Sequence, residues 1–201
     1  METSISLGFN CLSAVKGVEM GSRKRKAEGY NTCPFDIGLT NYEGIMLCLK
    51  EDFKYFCDLT YLKVVPFPFS GGVFNKGDLA IYNTRYNFIF NHESPYGNLY
   101  SEEGWSGGIN HFTENNFERF IERYNKRIDN FRNYMKESSK ITFIISKMDF
   151  EVTELKNQIT NCYPHLNFEI YSYLTEETGE VFYSYDKLMK YYNNNDNIVS
   201  M

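Results

Sequence analysis

No apolar run in this sequence approaches the roughly 18 residues that a membrane-crossing helix needs. The opening stretch METSISLGFNC has neither a basic segment nor a long apolar one, so it does not read as a secretory signal. Positive charge is scarce as well. Lys+Arg 21 against Asp+Glu 26 leaves a formal net charge of −5, which argues against a chain-wide basic field for nucleic acid or an anionic membrane. Three histidines (92, 111, 165) are scattered along the chain, and its five cysteines include no CxxC pair, which disfavours a compact zinc site. The odd cysteine count without a signal peptide points to reduced thiols. These absences set the expectation of a cytoplasmic protein that needs no cofactor or metal. Its partner is then a peptide or small-molecule substrate, with no nucleic acid and no membrane.

What the chain has in quantity is aromatic side chains. Seventeen Tyr and seventeen Phe within 201 residues supply the buried area for one core. The expected organisation is one α/β domain over residues 1–192 and a polar tail over 193–201. Residues 3–9 (TSISLGF) read as a strand, and Asn10 as the cap of a helix over about Cys11–Met20. The basic run Arg23-Lys24-Arg25-Lys26 reads as a solvated loop. A second helix is expected over about Asn41–Asp52, where Cys48 serves as a small hydrophobe; Cys57 beyond it reads the same way.

Pro66, Pro68 and Gly71-Gly72 mark an irregular loop, and residues 79–91 read as a hairpin around Asn83-Thr84-Arg85. The Gly-, Ser- and Asn-rich stretch at 92–112 is long enough for a lid or site wall. Apolar positions 117, 120, 121, 124, 128, 131 and 135 then repeat as an amphipathic helix over about Thr113–Ser138. ITFIIS (141–146), a helix at about 150–162 and NFEIYSYL (167–174) form a strand–helix–strand unit, which implies a parallel pair. The fold expected is mixed α/β: a partly parallel sheet flanked by helices, with the hairpin and the long loop inserted in the middle.

Chemistry concentrates where the first strand meets the first helix. A cysteine there, Cys11, gains a depressed pKa from the unpaired amides of the helix start. Alternatively, the amides of Gly8, Phe9 and Asn10 grip an anion such as a phosphate. A thiolate nucleophile wants an imidazole base and a group to orient it. His92 and His111, at the two ends of the long loop, both qualify; Asp36, Glu93, Glu102 and Glu103 are candidate orienters. Trp105 and His111 could wall a substrate, or Tyr96, Tyr100 and Trp105 could face a protein partner.

Three segments together carry a family likeness: Ile5-Ser6-Leu7-Gly8-Phe9-Asn10-Cys11, Pro34-Phe35-Asp36, and Arg85-Tyr86-Asn87-Phe88-Ile89-Phe90-Asn91-His92. A fourth, Arg123 to Phe131, approximates an R-x-x-RF pattern. In this order they resemble the motifs of the papain-like cysteine peptidase family whose members carry SLG-x-x-C, PFDW and a strand ending in His. The resemblance implies a cysteine hydrolase or acyl-transferase with Cys11 as nucleophile and His92 as base. Asp36 would be a third member or a structural anchor, and Glu93 stands where the family has an Asp after the His. It also implies, as the alternative fold, a papain-like antiparallel α+β core. The second functional reading is an α/β binding or transferase domain that holds a phosphate-bearing small molecule, a nucleotide or nucleotide-sugar, at the Gly8–Cys11 turn.

Overall fold

The computed structural model describes residues 2–66, 79–93, 110–146 and 152–173. β1 (Glu2–Ser6) leads into α1 (Leu12–Glu19) and then, beyond a single 3-10 turn (Lys26–Glu28), α2 (Tyr42–Lys50). β2 (Leu62–Pro66), β3 (Leu79–Asn83) and β4 (Phe88–Phe90) follow. The long helix α3 (Asn110–Glu137) precedes a closing unit of β5 (Lys140–Ser146), α4 (Val152–Cys162) and β6 (Phe168–Tyr173).

The chain is mixed α/β, as expected, but its strands form two sheets rather than one. β1, β5 and β6 make a parallel sheet in the order β1-β5-β6, with Ile5 opposite Phe143 and Phe143 opposite Ile170. The sheet that carries the Cys11 turn is therefore parallel, unlike the antiparallel core of the papain-like alternative. β2, β3 and β4 make a separate antiparallel sheet. The hairpin of β3 and β4 was legible, but its third strand β2 falls where a loop was expected. Pro66 ends β2 opposite Leu79, at the margin of the ladder, where a missing N–H costs little. Of the long loop, residues 94–109 lie outside the described residues, as does the tail at 193–201. Among the described residues no helix is long and apolar enough to cross a membrane.

Two asparagines fix the antiparallel sheet. Buried Asn83 accepts from the amides of Arg85 and Tyr86, both at 3.0 Å, and donates to the carbonyls of Tyr55 (2.9 Å) and Phe56 (3.0 Å). Asn41 caps α2 by accepting from Gly44 N at 2.7 Å, and its amide donates to Tyr86 O at 2.9 Å. Helix start and hairpin turn are thus locked to each other.

Segment 36–41 joins the two sheets. Leu39 exchanges backbone hydrogen bonds with Ile89 of β4 (2.7 and 2.9 Å), and Thr40 N donates to Phe9 O at 2.8 Å, just beyond β1. Phe35, fully buried, packs against Phe53, Phe56, Phe88 and Phe131 with centroids 5.7–6.4 Å apart. Burying a ring of this size is worth about 1.5–3 kcal/mol, so Phe35 pins the Pro34-Phe35-Asp36 turn and with it the position of Asp36.

α3 is broken. Asn115, Asn116 and Phe117 have φ of 51°, 57° and 62°, a left-handed stretch inside a helix that the hydrophobic spacing predicts as continuous. Asparagine tolerates this region better than most residues. Beyond the break, Phe120, Tyr124, Ile128 and Phe131 form the buried stripe the spacing predicts.

Candidate functional site

The turn after β1 satisfies its own amides. Gly8 N donates to Ser6 Oγ (3.1 Å), Phe9 N to Ser146 Oγ (2.9 Å) and Leu12 N to Asn10 Oδ1 (3.0 Å). Ser13 Oγ and Ser146 N both donate to Gly8 O. Of the amides expected to grip an anion here, those of Gly8 and Phe9 are engaged inside the protein. Asn10 is the side chain that caps α1, acting from one residue before the helix boundary at Cys11.

Cys11 is half-buried at the start of α1, and burial pushes its thiol above the ordinary value of 9.0, opposed only by a backbone hydrogen bond. The amides of the helix start do not offset desolvation, which reverses the expected depression. Iodoacetamide should therefore modify Cys11 of the native protein more slowly than a free thiol, with the rate still climbing above pH 9. Mass-spectrometric site mapping against pH checks this; a plateau below pH 8 would restore Cys11 as an activated nucleophile.

His92 follows β4. The antiparallel Leu39–Ile89 bridge carries residues 90–93 toward the Asp36 side, whereas Phe9 joins at Thr40, on the opposite side. Burial and the backbone hydrogen bond set the Cys11 shift; burial, Glu93 and Arg127 set that of His92. The candidate orienters are also committed elsewhere. Asp36, buried, accepts from Arg23 Nη1 and from Cys33 N, both at 2.6 Å, which makes it an anchor of the 33–36 turn. Glu93, fully buried, accepts from Arg127 Nη1 at 2.8 Å and lies 3.8 Å from Arg123 Nε. Trp105, Glu102 and Glu103 lie outside the described residues.

Burial lowers the His92 pKa below its ordinary 6.5, with Glu93 opposing in part. The unfolded chain then takes up this proton at a higher pH than the native one. The contribution is fully present above about pH 6.5 and is lost as the pH falls through the folded value. Urea denaturation between pH 8 and pH 5 should show falling stability, with a shallower fall in His92→Gln. Equal slopes for the two proteins would contradict a buried neutral imidazole.

The residues that do converge on open space are others. A cleft of about 690 Å³ lies between α3 and the segment around 26–37. Lys26, Arg119, Arg123, Lys126 and Arg127 line it, against one wall carboxylate, Glu122. Among the described lining residues, basic side chains thus outnumber carboxylates, in a chain whose net charge is −5. Arg127 is only 5% exposed, its guanidinium held by Glu93 and lying 4.5 Å over the Tyr124 ring. Arg123 lies over Phe112 at 5.0 Å. Arg119 Nη1 meets His111 Nδ1 at 2.6 Å. The left-handed break makes this contact, since eight residues of unbroken helix would separate the two by about 12 Å. His111 thus lines this cleft, with an arginine as its partner.

Composition missed this cleft. Arg123 and Arg127 entered only through a family likeness, and the basic run at 23–26 reads as solvent-facing although Arg23 turns inward to Asp36. The available signal was a helical stripe, since 119, 123, 126 and 127 share one face of α3. Among the described residues no group of three or more His, Cys, Asp or Glu side chains could hold a metal ion. No protein-family model, curated protein or solved structure matches the chain. The functional reading rests on the cleft itself.

Proposed function

We propose that this chain is an α/β domain that binds a phosphate-bearing small molecule in the cleft between α3 and residues 26–37. The observation that carries the reading is Arg127: a buried guanidinium, clamped by a buried carboxylate, on the wall of a cavity lined by four further basic side chains. Burying an arginine is costly unless its charge is matched, and Glu93 provides that match. Pairing also fixes the fork in place before any ligand arrives, so little ordering is left to do on binding. The volume lies within the range of small-molecule sites.

Thermal denaturation of the full chain in sodium phosphate against sodium chloride at matched ionic strength tests the proposal. Phosphate should raise the midpoint, since a ligand that binds only the native state stabilises it. Lys26→Gln/Lys126→Gln, two exposed positions, should keep the unliganded midpoint and lose most of the rise. Cys11→Ser should keep both. A midpoint no higher in phosphate than in chloride overturns the proposal.

A further inference from the structure

The chemistry of the cleft changes along α3. Arg119, Arg123, Lys126 and Arg127 line it on successive turns of the helix. The next lining residue is neutral. Asn130 stands about 4.5 Å further along the axis than Arg127, and across from it the opposite wall carries Asn31 and Thr32. Two hydrogen bonds tie the walls together at this end. Asn130 Nδ2 donates to Thr32 O at 2.9 Å, and one turn on, Tyr134 Oη accepts from Asn31 N at 2.9 Å. Both bonds use the backbone of 31–32, so they fix that segment to α3 without engaging the Asn31 and Thr32 side chains. The rings of the wall are placed differently. Tyr30 is 4% exposed, with the Arg23 guanidinium 3.7 Å from its ring centroid and Tyr134 stacked at 5.2 Å. Phe112 is 1% exposed, beneath Arg123. Among the described lining residues, the phenol and phenyl rings are thus packed into the protein, where a base cannot stack on them.

Resting on the phosphate reading above, we infer that the ligand is a sugar phosphate, with its phosphate at Arg127 and its hydroxyl groups at the Asn31, Thr32 and Asn130 end. Amide and hydroxyl side chains each carry a donor and an acceptor, as sugar hydroxyls do, and can pair with them in either sense. A few such polar groups at fixed positions set orientation and specificity in a small-molecule site. The two cross-wall bonds supply the fixing, so little ordering is left for the sugar to impose.

Calorimetric titration of the full chain with orthophosphate, glucose 6-phosphate, phenyl phosphate and adenosine monophosphate tests this. Phenyl phosphate is the decisive control, since it carries the same monoester and a ring of similar size without hydroxyls. Glucose 6-phosphate should bind about tenfold tighter than phenyl phosphate, the effect of one or two additional hydrogen bonds. Adenosine monophosphate should bind no tighter than glucose 6-phosphate. Asn31→Ala/Thr32→Val keeps both backbone bonds to α3, so the chain should fold as before, and the ratio of the first two affinities should fall towards one. Equal affinity for glucose 6-phosphate and phenyl phosphate in the native chain overturns the sugar assignment and leaves phosphate binding standing. An unchanged ratio in the double variant overturns it too. Tighter binding of adenosine monophosphate than of glucose 6-phosphate replaces the sugar by a nucleotide. No binding of any probe, orthophosphate included, overturns the underlying reading instead.

Discussion

Glu93→Gln is expected to cost about 3–5 kcal/mol of folding stability, the range for breaking a buried ion pair from one side. The side chain is fully buried and accepts from Arg127 at 2.8 Å. Glutamine keeps the size and one acceptor, so the loss is that of the charge opposing a buried arginine. Arg123, 3.8 Å away, cannot relieve Arg127, because it carries the same sign. Against a total stability of about 5–15 kcal/mol the effect is large, and a urea titration with an unchanged slope would show it as a lower midpoint. Replacing both partners by apolar residues, Glu93→Leu with Arg127→Met, should recover most of the loss, since neither charge is then stranded. The same double variant should bind no phosphate. Recovery of stability without recovery of binding would separate the two functions of the pair. A single-variant loss below about 1 kcal/mol would mean that the pair is solvated and the cleft not preorganised.

The sequence makes local structure legible and leaves long-range pairings hidden. ITFIIS declares β5 because a continuous β-branched run suits a strand buried on both faces, and Leu155 and Ile159 mark the inner side of α4. Asn41 announces α2 because its carbonyl oxygen has one obvious donor, three residues on. β2 is hidden because Pro66 and the glycines after it outweigh the alternation of Leu62, Val64 and Val65. The break in α3 is hidden because Asn115 and Asn116 look like ordinary solvent-facing positions of a helix. At the site, the short motifs around Asp36, His92 and Arg127 were visible, but their partners were not. Glu93 meets Arg127 across 34 residues and Asp36 meets Arg23 across 13, and both pairings follow from how α3 and the 33–36 turn pack. A net charge of −5 also hides a basic cleft, because charge sums over the chain whereas a site samples one wall of it.

Gly8→Ala is expected to cost about 2–6 kcal/mol of folding stability without touching the proposed cleft. Gly8 has φ +101°, a region that L side chains rarely occupy, at a cost of about 1–3 kcal/mol. A Cβ there would also overlap Thr40 Oγ1, and overpacking of this kind costs about a further 1–3 kcal/mol. The two costs can be separated. Thr40 Oγ1 is buried and makes no hydrogen bond among the described residues, so Thr40→Ala alone should be close to neutral. In a double-mutant cycle, Gly8→Ala/Thr40→Ala should therefore regain the overlap cost and keep the backbone cost. Sequence alone offers another reason for a glycine at this turn: backbone approach to a bound anion. The two explanations diverge in one measurement. If the glycine serves packing, Gly8→Ala loses stability but still binds phosphate with native affinity. If it serves an anion at the turn, the variant folds normally and binding disappears, and the cleft on α3 would lose its claim to the ligand.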